Sequence, residues 1–158
     1  MRVIIAGDRR FGAIRQRPKP TDEQVATMKE AAEYFMGVVL DQVADFRRRY
    51  GQIDLVISGG ANGIDSLGQL LAKRITGRKA QVVKANWMSE GKKAGALRNA
   101  KMAEAADGAI IIAAPDSRGS WDMYRKAVER GIPVVIKTFN WDDLDFMFPG
   151  LLDCYPER

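Results

Sequence analysis

The sequence predicts an α/β domain in which a mainly parallel sheet of about five strands carries helices on both faces. Three observations predict it. Short apolar runs alternate with longer segments of helical periodicity, most of those runs stop at glycine or at a polar turn, and 158 residues is the size of one domain. Strand and helix in strict alternation imply right-handed crossovers, so the sheet is doubly wound and buried on both sides.

The first strand is 2–6, RVIIA, an apolar run that ends at Gly7; residues 8–20 read as a loop. Pro20 stops any helix from entering Thr21, and Thr21 with Gln24 has capping-box spacing, so a long helix starts there and runs to about Tyr50. Its stripe at helical spacing is Val25, Met28, Ala32, Phe35, Val38, Val39, Gln42, Val43 and Phe46. Arg47, Arg48 and Arg49 complement the negative end of the helix dipole, a structural reading preferred to a nucleic-acid patch, and Gly51 is the expected C-cap. Strands are then predicted at 53–58, 81–85, 109–114 and 133–137, with helices over about 62–75, 92–106 and 120–130. Residues 1–138 form the domain. The extension 139–158, with Trp141, Phe146, Met147, Phe148, Leu151 and Leu152, is expected to pack on that domain or on a dimer partner.

Composition excludes several chemistries. Cys154 is the sole cysteine, which rules out an intramolecular disulfide, and the absence of histidine removes Ser-His-Asp and Cys-His catalysis and the usual zinc sites. No metal or cofactor is expected, and any chemistry falls to carboxylates, Lys, Tyr, Ser and water. The apolar run of the opening MRVIIAGDRR is too short for a signal peptide or a span, and the protein is read as cytoplasmic. A net charge of +5 and a pI of about 9.5 favour anionic partners. Basic residues gather after the first strand at Arg9, Arg10, Arg15, Arg17 and Lys19, whereas Asp142, Asp143, Asp145, Asp153 and Glu157 make the tail acidic.

In open α/β sheets, ligands bind beyond the C-terminal ends of the strands. The residues at those ends here are polar and glycine-rich: Gly7, Asp8 and Arg9; Ser58, Gly59, Gly60, Asn62, Gly63 and Asp65; Asn86 and Trp87; Pro115, Gly119 and Ser120. Glycine lets backbone N–H groups approach an anion, and the following helix turns its positive end toward it. Two such turns suggest a nucleotide-like ligand. Neither the dinucleotide-binding fingerprint nor a Walker A loop is present. Asp65 fits either a dipole-stabilising role or ligand contact, and Trp87 either closes the core or stacks on a base. Ser120 reads as an N-cap able to touch phosphate, since no histidine is available to activate it as a nucleophile.

Five segments in order carry a family resemblance: VIIAGDRRF from Val3, ISGGANGIDSLGQLLA from Ile57, KANW from Lys84, KKAGALRNAKM from Lys92, and IIIAAPDSRGSWDMYRKAVERGIPVV from Ile110. Together they resemble the YspA-like branch of the SLOG superfamily, Rossmann-like domains associated with nucleotides and nucleotide-derived ligands. The resemblance implies a phosphate contact by Arg98, with Asn99 beside it, and a homodimer. More loosely the chain is similar to the lonely-guy phosphoribohydrolases, whose arginine-containing helix matches Arg98 and Met102. Their glutamate position is held here by Met123, so an N-glycosidic hydrolase or transferase would need Asp65 or Asp122 as its catalytic carboxylate. The superfamily also includes the DNA-processing protein of natural transformation, which makes single-stranded DNA binding a further alternative. That reading calls for exposed aromatics along a basic groove, and the aromatics here fall mostly at core spacings or in the acidic tail. The leading expectation is a nucleotide-binding sensor, sequestering or accessory protein.

Overall fold

The computed structural model describes residues 1–156; Glu157 of the acidic tail lies outside the described residues. Five strands, β1 (Arg2–Gly7), β2 (Leu55–Ser58), β3 (Gln81–Val82), β4 (Gly108–Ala113) and β5 (Val134–Thr138), form one sheet in the order β3-β2-β1-β4-β5. Every neighbouring pair is parallel. The chain therefore starts in the middle, winds outward to β3, and crosses back to β4 beside β1. That reversal leaves a crevice beyond the ends of β1 and β4, as in Rossmann-like doubly wound folds.

The helices are α1 (Asp22–Tyr50), α2 (Ile64–Thr76), α3 (Trp87–Glu90), α4 (Ala94–Ala105), α5 (Arg118–Glu129) and α6 (Trp141–Met147). Alternation along the strands divides the core in two. Val3, Ile5, Val56, Ile110 and Ile112 face α1 and α2, while Ile4, Ala6, Ile57, Ala109 and Ile111 face Met102 and Ala103 of α4 and Met123 and Ala127 of α5. Thr21 and Gln24 form the expected capping box, and Gly51 closes α1 by donating its N–H to the Arg47 carbonyl. The arginine triplet is engaged within the protein: Arg47 donates to the Ile75 carbonyl of α2, and Arg48 and Arg49 pair with Asp45 of α1.

Element boundaries depart from expectation where backbone geometry overrides periodicity. The helix foreseen from Asn62 starts at Ile64, because Gly63 holds φ at 75° and ψ at −132°, outside the helical region. A side chain there would also meet the Asp8 carbonyl at 2.3 Å, so glycine is required where α2 abuts the end of β1. β3 has two residues rather than five, since the chain leaves the sheet edge after Val83 to build α3 under an Asn86 cap. The helix expected over 92–106 begins at Ala94 after a single 3₁₀ turn, Gly91–Lys93. α5 begins at Arg118 with Ser117 in the cap position, which corrects the reading of Ser120 as the N-cap: Ser120 lies buried in the first turn.

The C-terminal segment packs against the α1 face. Leu144, Leu151 and Tyr155 are buried in that cluster, and the Tyr155 hydroxyl donates to the Ala13 carbonyl at 2.6 Å. Phe11 stacks on Phe35 with centroids 4.6 Å apart and is edged by Phe139 and Trp141. Among the described residues, no helix is long and apolar enough to cross a membrane. Because Leu144 is fully buried, Leu144→Ala is expected to lower unfolding free energy by roughly 2–5 kcal/mol in urea titrations, the range for a cavity left by a core leucine. An unchanged midpoint would show that the segment contributes nothing to the core.

Candidate functional site

The crevice at the strand ends is organised by one buried guanidinium. Asp8 leaves β1 and turns back, so its Oδ1 accepts from the backbone N–H of Arg10 at 2.7 Å and from Arg10 Nε at 2.9 Å. Its Oδ2 accepts from a terminal Arg10 nitrogen at 2.6 Å and from the Ser117 hydroxyl. The same guanidinium reaches across to Asp116 at 2.9 and 3.2 Å, and its face lies 4.9 Å from the Trp141 ring centroid. Two carboxylates hold the Arg10 guanidinium above its ordinary pKa range, Asp8 most strongly, and Arg10 in turn holds Asp116 below the usual carboxylate range. The loops after β1 and β4 are thereby joined.

The turn after β2 is built around Asp65. Ser58, fully buried, donates its hydroxyl to the Asp65 carbonyl at 3.0 Å and accepts from Gly60 N–H. The Asp65 carboxylate accepts from Gly7 N–H and Ala61 N–H, each at 3.3 Å, and so ties α2 to the ends of β1 and β2. Burial pushes its pKa up to about 6, against the opposing pull of the Arg98 guanidinium and the two N–H groups. Arg98 lies over the turn and donates to the Gly59 carbonyl at 3.1 Å, while its Nε is buried with no hydrogen-bond partner. A Cβ on Gly59 would stand 2.8 Å from Asp65 Oδ2 and 3.0 Å from Arg98 Cζ. Glycine thus leaves room for both groups to converge on the turn.

On the opposite wall, Asn99 is buried and donates to the Gly119 carbonyl at 3.1 Å and to Asp122 Oδ2 at 3.0 Å, pinning α4 to α5. Asp122 also accepts from Lys126 Nζ at 2.6 and 2.7 Å, whereas Met123 is buried in the core. Trp87 does not close the core: it is 60% exposed, with its ring edge against Gly95 at the rim.

These walls enclose a cleft of about 1190 Å³. It is lined by Gly7, Asp8, Arg9, Gly59, Gly60, Asn62, Asp65, Trp87, Arg98, Asn99, Gly119, Ser120 and Asp122, all expected from the sequence. Ser58, Gly63 and Pro115 do not line it. Ser58 and Gly63 serve the turn from beneath, by the hydroxyl bonds and close backbone packing described above. Asp116 and Arg118, in the expected strand-end turn after β4, also line the cleft, as do Lys84 and Arg125, which the sequence had not singled out. Lys84 carried a positional signal, close before Asn86 beyond the end of β3, whereas Arg125 lies within α5, away from any strand-end turn. Arg9, Lys84 and Arg118 have no ion-pair partner among the described residues, while the carboxylates of the cleft are each engaged by the contacts above. A separate depression of about 430 Å³ between α1 and β5, lined by Glu33, Tyr34, Asp41, Lys137 and Phe139 among others, lacks any glycine turn. Among the described residues no group of three or more His, Cys, Asp or Glu side chains is placed to hold a metal ion.

The fold and site define a Rossmann-like α/β protein with a polar, cation-lined cleft at the C-terminal edge of its sheet. The chain belongs to the same family as the Gene 61 protein of Mycobacterium phage D29, to which it is 36% identical over 104 residues, covering 61% of this chain and 82% of that protein. No family model matches the chain, and no solved structure does.

The raised Asp65 carboxyl makes stability depend on pH in a defined direction. Between its ordinary value of 3.8 and about 6, the folded chain holds a proton that the unfolded chain has released, so stability falls as pH rises through that window. The effect is on the order of 3 kcal/mol. Asp65→Asn removes it, so urea titrations from pH 4 to 7 should show the variant gaining on the wild type by about that amount. A stability difference that is constant with pH would contradict the buried carboxyl.

Proposed function

We propose that the cleft binds a nucleotide or nucleotide-derived anion and that the protein acts as a sensor, sequestering or accessory protein for it. The observation that carries this reading is Arg98. Its guanidinium lies over a glycine turn with one bond to the Gly59 carbonyl and a buried Nε without a partner. A planar fork with donors unspent suits a phosphate. Arg9 and Lys84 add uncompensated positive charge around it, and Trp87 offers an exposed face for a base. The resemblance to YspA-like SLOG domains points to the same ligand class.

Hydrolysis is supported less well. Met123 stands where the phosphoribohydrolases carry their glutamate and is buried, and Asp122 is neutralised by Lys126. Asp65 alone favours this second reading, since a carboxyl near pH 6 is suited to acid–base work. Single-stranded DNA binding has weaker support still, because Trp87 is the exposed aromatic of the cleft, whereas such sites stack several bases in succession.

Isothermal titration with nucleoside 5′-monophosphates tests the binding reading. Wild type is expected to bind, and Arg98→Ala to lose about tenfold or more, the effect of a charged hydrogen-bond pair. Absence of binding by any nucleotide, or equal affinity in the variant, overturns the proposal. Chromatography of the same mixtures should show the nucleotide intact; release of free base that Asp65→Asn abolishes would establish the hydrolase instead.

A further inference from the structure

The end of the sheet opposite the cleft carries a concentrated positive charge. α1 and α2 both finish there, at the N-terminal edges of β2 and β3, and the Arg47 guanidinium donates to the Ile75 carbonyl, which ties their last turns together. Arg48 and Arg49 follow on α1; Lys73, Arg74, Arg78 and Lys79 come from the end of α2 and the turn after it, and all six are exposed. Asp54, just before β2, belongs to the same cluster: its carboxyl is held below the usual range first by the chain's amino terminus and also by Arg78.

The amount of charge exceeds what the helices themselves call for. Residues 43–54 and 71–81 hold seven cations against two acids, an excess equal to the net +5 of the whole chain, so the rest of the chain is balanced. Two helix C-termini present about one unit of negative charge between them, far less than that excess. The arginine triplet answers to the dipole of α1; the surplus comes from what α2 adds beside it. Of the two acids, Asp54 is paired with the amino terminus, and Asp45 is shared by Arg48 and Arg49. Lys73, Arg74 and Lys79 have no ion-pair partner among the described residues. Toward β4 the same edge is neutral where Arg2 meets Asp107.

The makeup of the surface selects the anion. A protein partner calls for an apolar or aromatic centre to its interface, and firm membrane attachment calls for apolar side chains to insert. This end offers only Tyr50, at 38% exposure with the Arg49 guanidinium 5.2 Å from its ring centroid, and Leu70, alone on the outer face of α2. Single strands are held by bases stacked on open aromatic faces, and the Tyr50 ring is already covered on one side by Arg49. A row of duplex phosphates requires no apolar contact and is met by cations alone. We infer that the N-terminal edge of the sheet, at the joined ends of α1 and α2, binds the phosphate backbone of a double-stranded nucleic acid without reading its sequence, as a second site independent of the cleft.

Fluorescence anisotropy with a short labelled DNA duplex of mixed sequence, titrated at several salt concentrations, tests it. Wild type is expected to bind at low salt, with log K falling by about 3 or more per tenfold rise in salt, at roughly 0.9 for each phosphate neutralised. A variant combining Lys73→Gln, Arg74→Gln and Arg78→Gln should bind about tenfold or more weakly, with a slope shallower by roughly 2–3. The three side chains are exposed, so their loss leaves the fold intact, and the wild-type slope needs no variant. Arg118→Gln, in the cleft, should leave duplex binding unchanged, and the triple variant should leave nucleotide titrations of the cleft unchanged, so this inference and the nucleotide reading stand or fall separately. Any of five results overturns it: no duplex binding at low salt, a slope near zero, a triple variant that binds like wild type, a loss in Arg118→Gln that matches the triple variant's, or tighter binding to the single strand or to phosphatidylserine vesicles than to the duplex. An RNA duplex of the same sequence, run beside the DNA, identifies which duplex is preferred; equal binding or a preference for either supports phosphate recognition.

Discussion

A single guanidinium buried between two carboxylates sets the geometry of this protein's cleft. Arg10 joins Asp8, at the end of β1, to Asp116, in the turn after β4, and the Ser117 hydroxyl completes the shell around Asp8. Such a pair is expensive to desolvate, and it is stable here because both Asp8 oxygens are saturated by short, charge-assisted bonds. Trp141 lies over the same guanidinium, so the C-terminal segment is part of this arrangement as well as of the core. The crossing point of the sheet, where Rossmann-like folds leave a crevice, is therefore braced from both sides.

This bracing determines the electrostatics of the crevice. By taking up Asp8 and Asp116, Arg10 leaves the cleft with acids already satisfied and with Arg9, Lys84 and Arg118 uncompensated. Asp122 is likewise taken up by Lys126, and Asn99 fixes it against α4. The surplus of positive charge inside a partly enclosed space is worth far more than the same charge on an open surface. Such a cleft suits holding an anion. Asp65, the remaining carboxyl of the cleft, is held by the Gly7 and Ala61 N–H groups.

Much of the fold was legible in the sequence because it is local. Apolar runs, the Thr21–Gln24 capping box and Gly51 are patterns within a few residues, and each reappears in the structure. Most of the candidate site was legible too, because the doubly wound topology brings every strand end to one edge. What escaped depends on contacts between distant segments. Nothing near Ser117 or Ser120 says which one stands at the start of α5; Ser117 does, and its hydroxyl donates to Asp8, more than a hundred residues away in sequence, rather than capping the helix. The division of labour between Arg9 and Arg10 is equally non-local: adjacent in sequence, one is exposed in the cleft and the other is buried by Asp116 and Trp141. Trp87 was ambiguous for the same reason, since its exposure follows from the early departure of β3 from the sheet edge.

The proposed seat of the phosphate is Arg98 together with the turn after β2. Two-dimensional ¹H–¹⁵N spectra recorded during titration with a nucleoside 5′-monophosphate test it most directly. The amides of Gly59, Gly60 and Ala61 should shift together with the Arg98 Nε–H, while Glu33, Tyr34 and Lys137 around the separate depression stay fixed. Shifts confined to that depression, or a saturating titration that leaves the Arg98 Nε–H unmoved, would place the ligand elsewhere and rule this seat out.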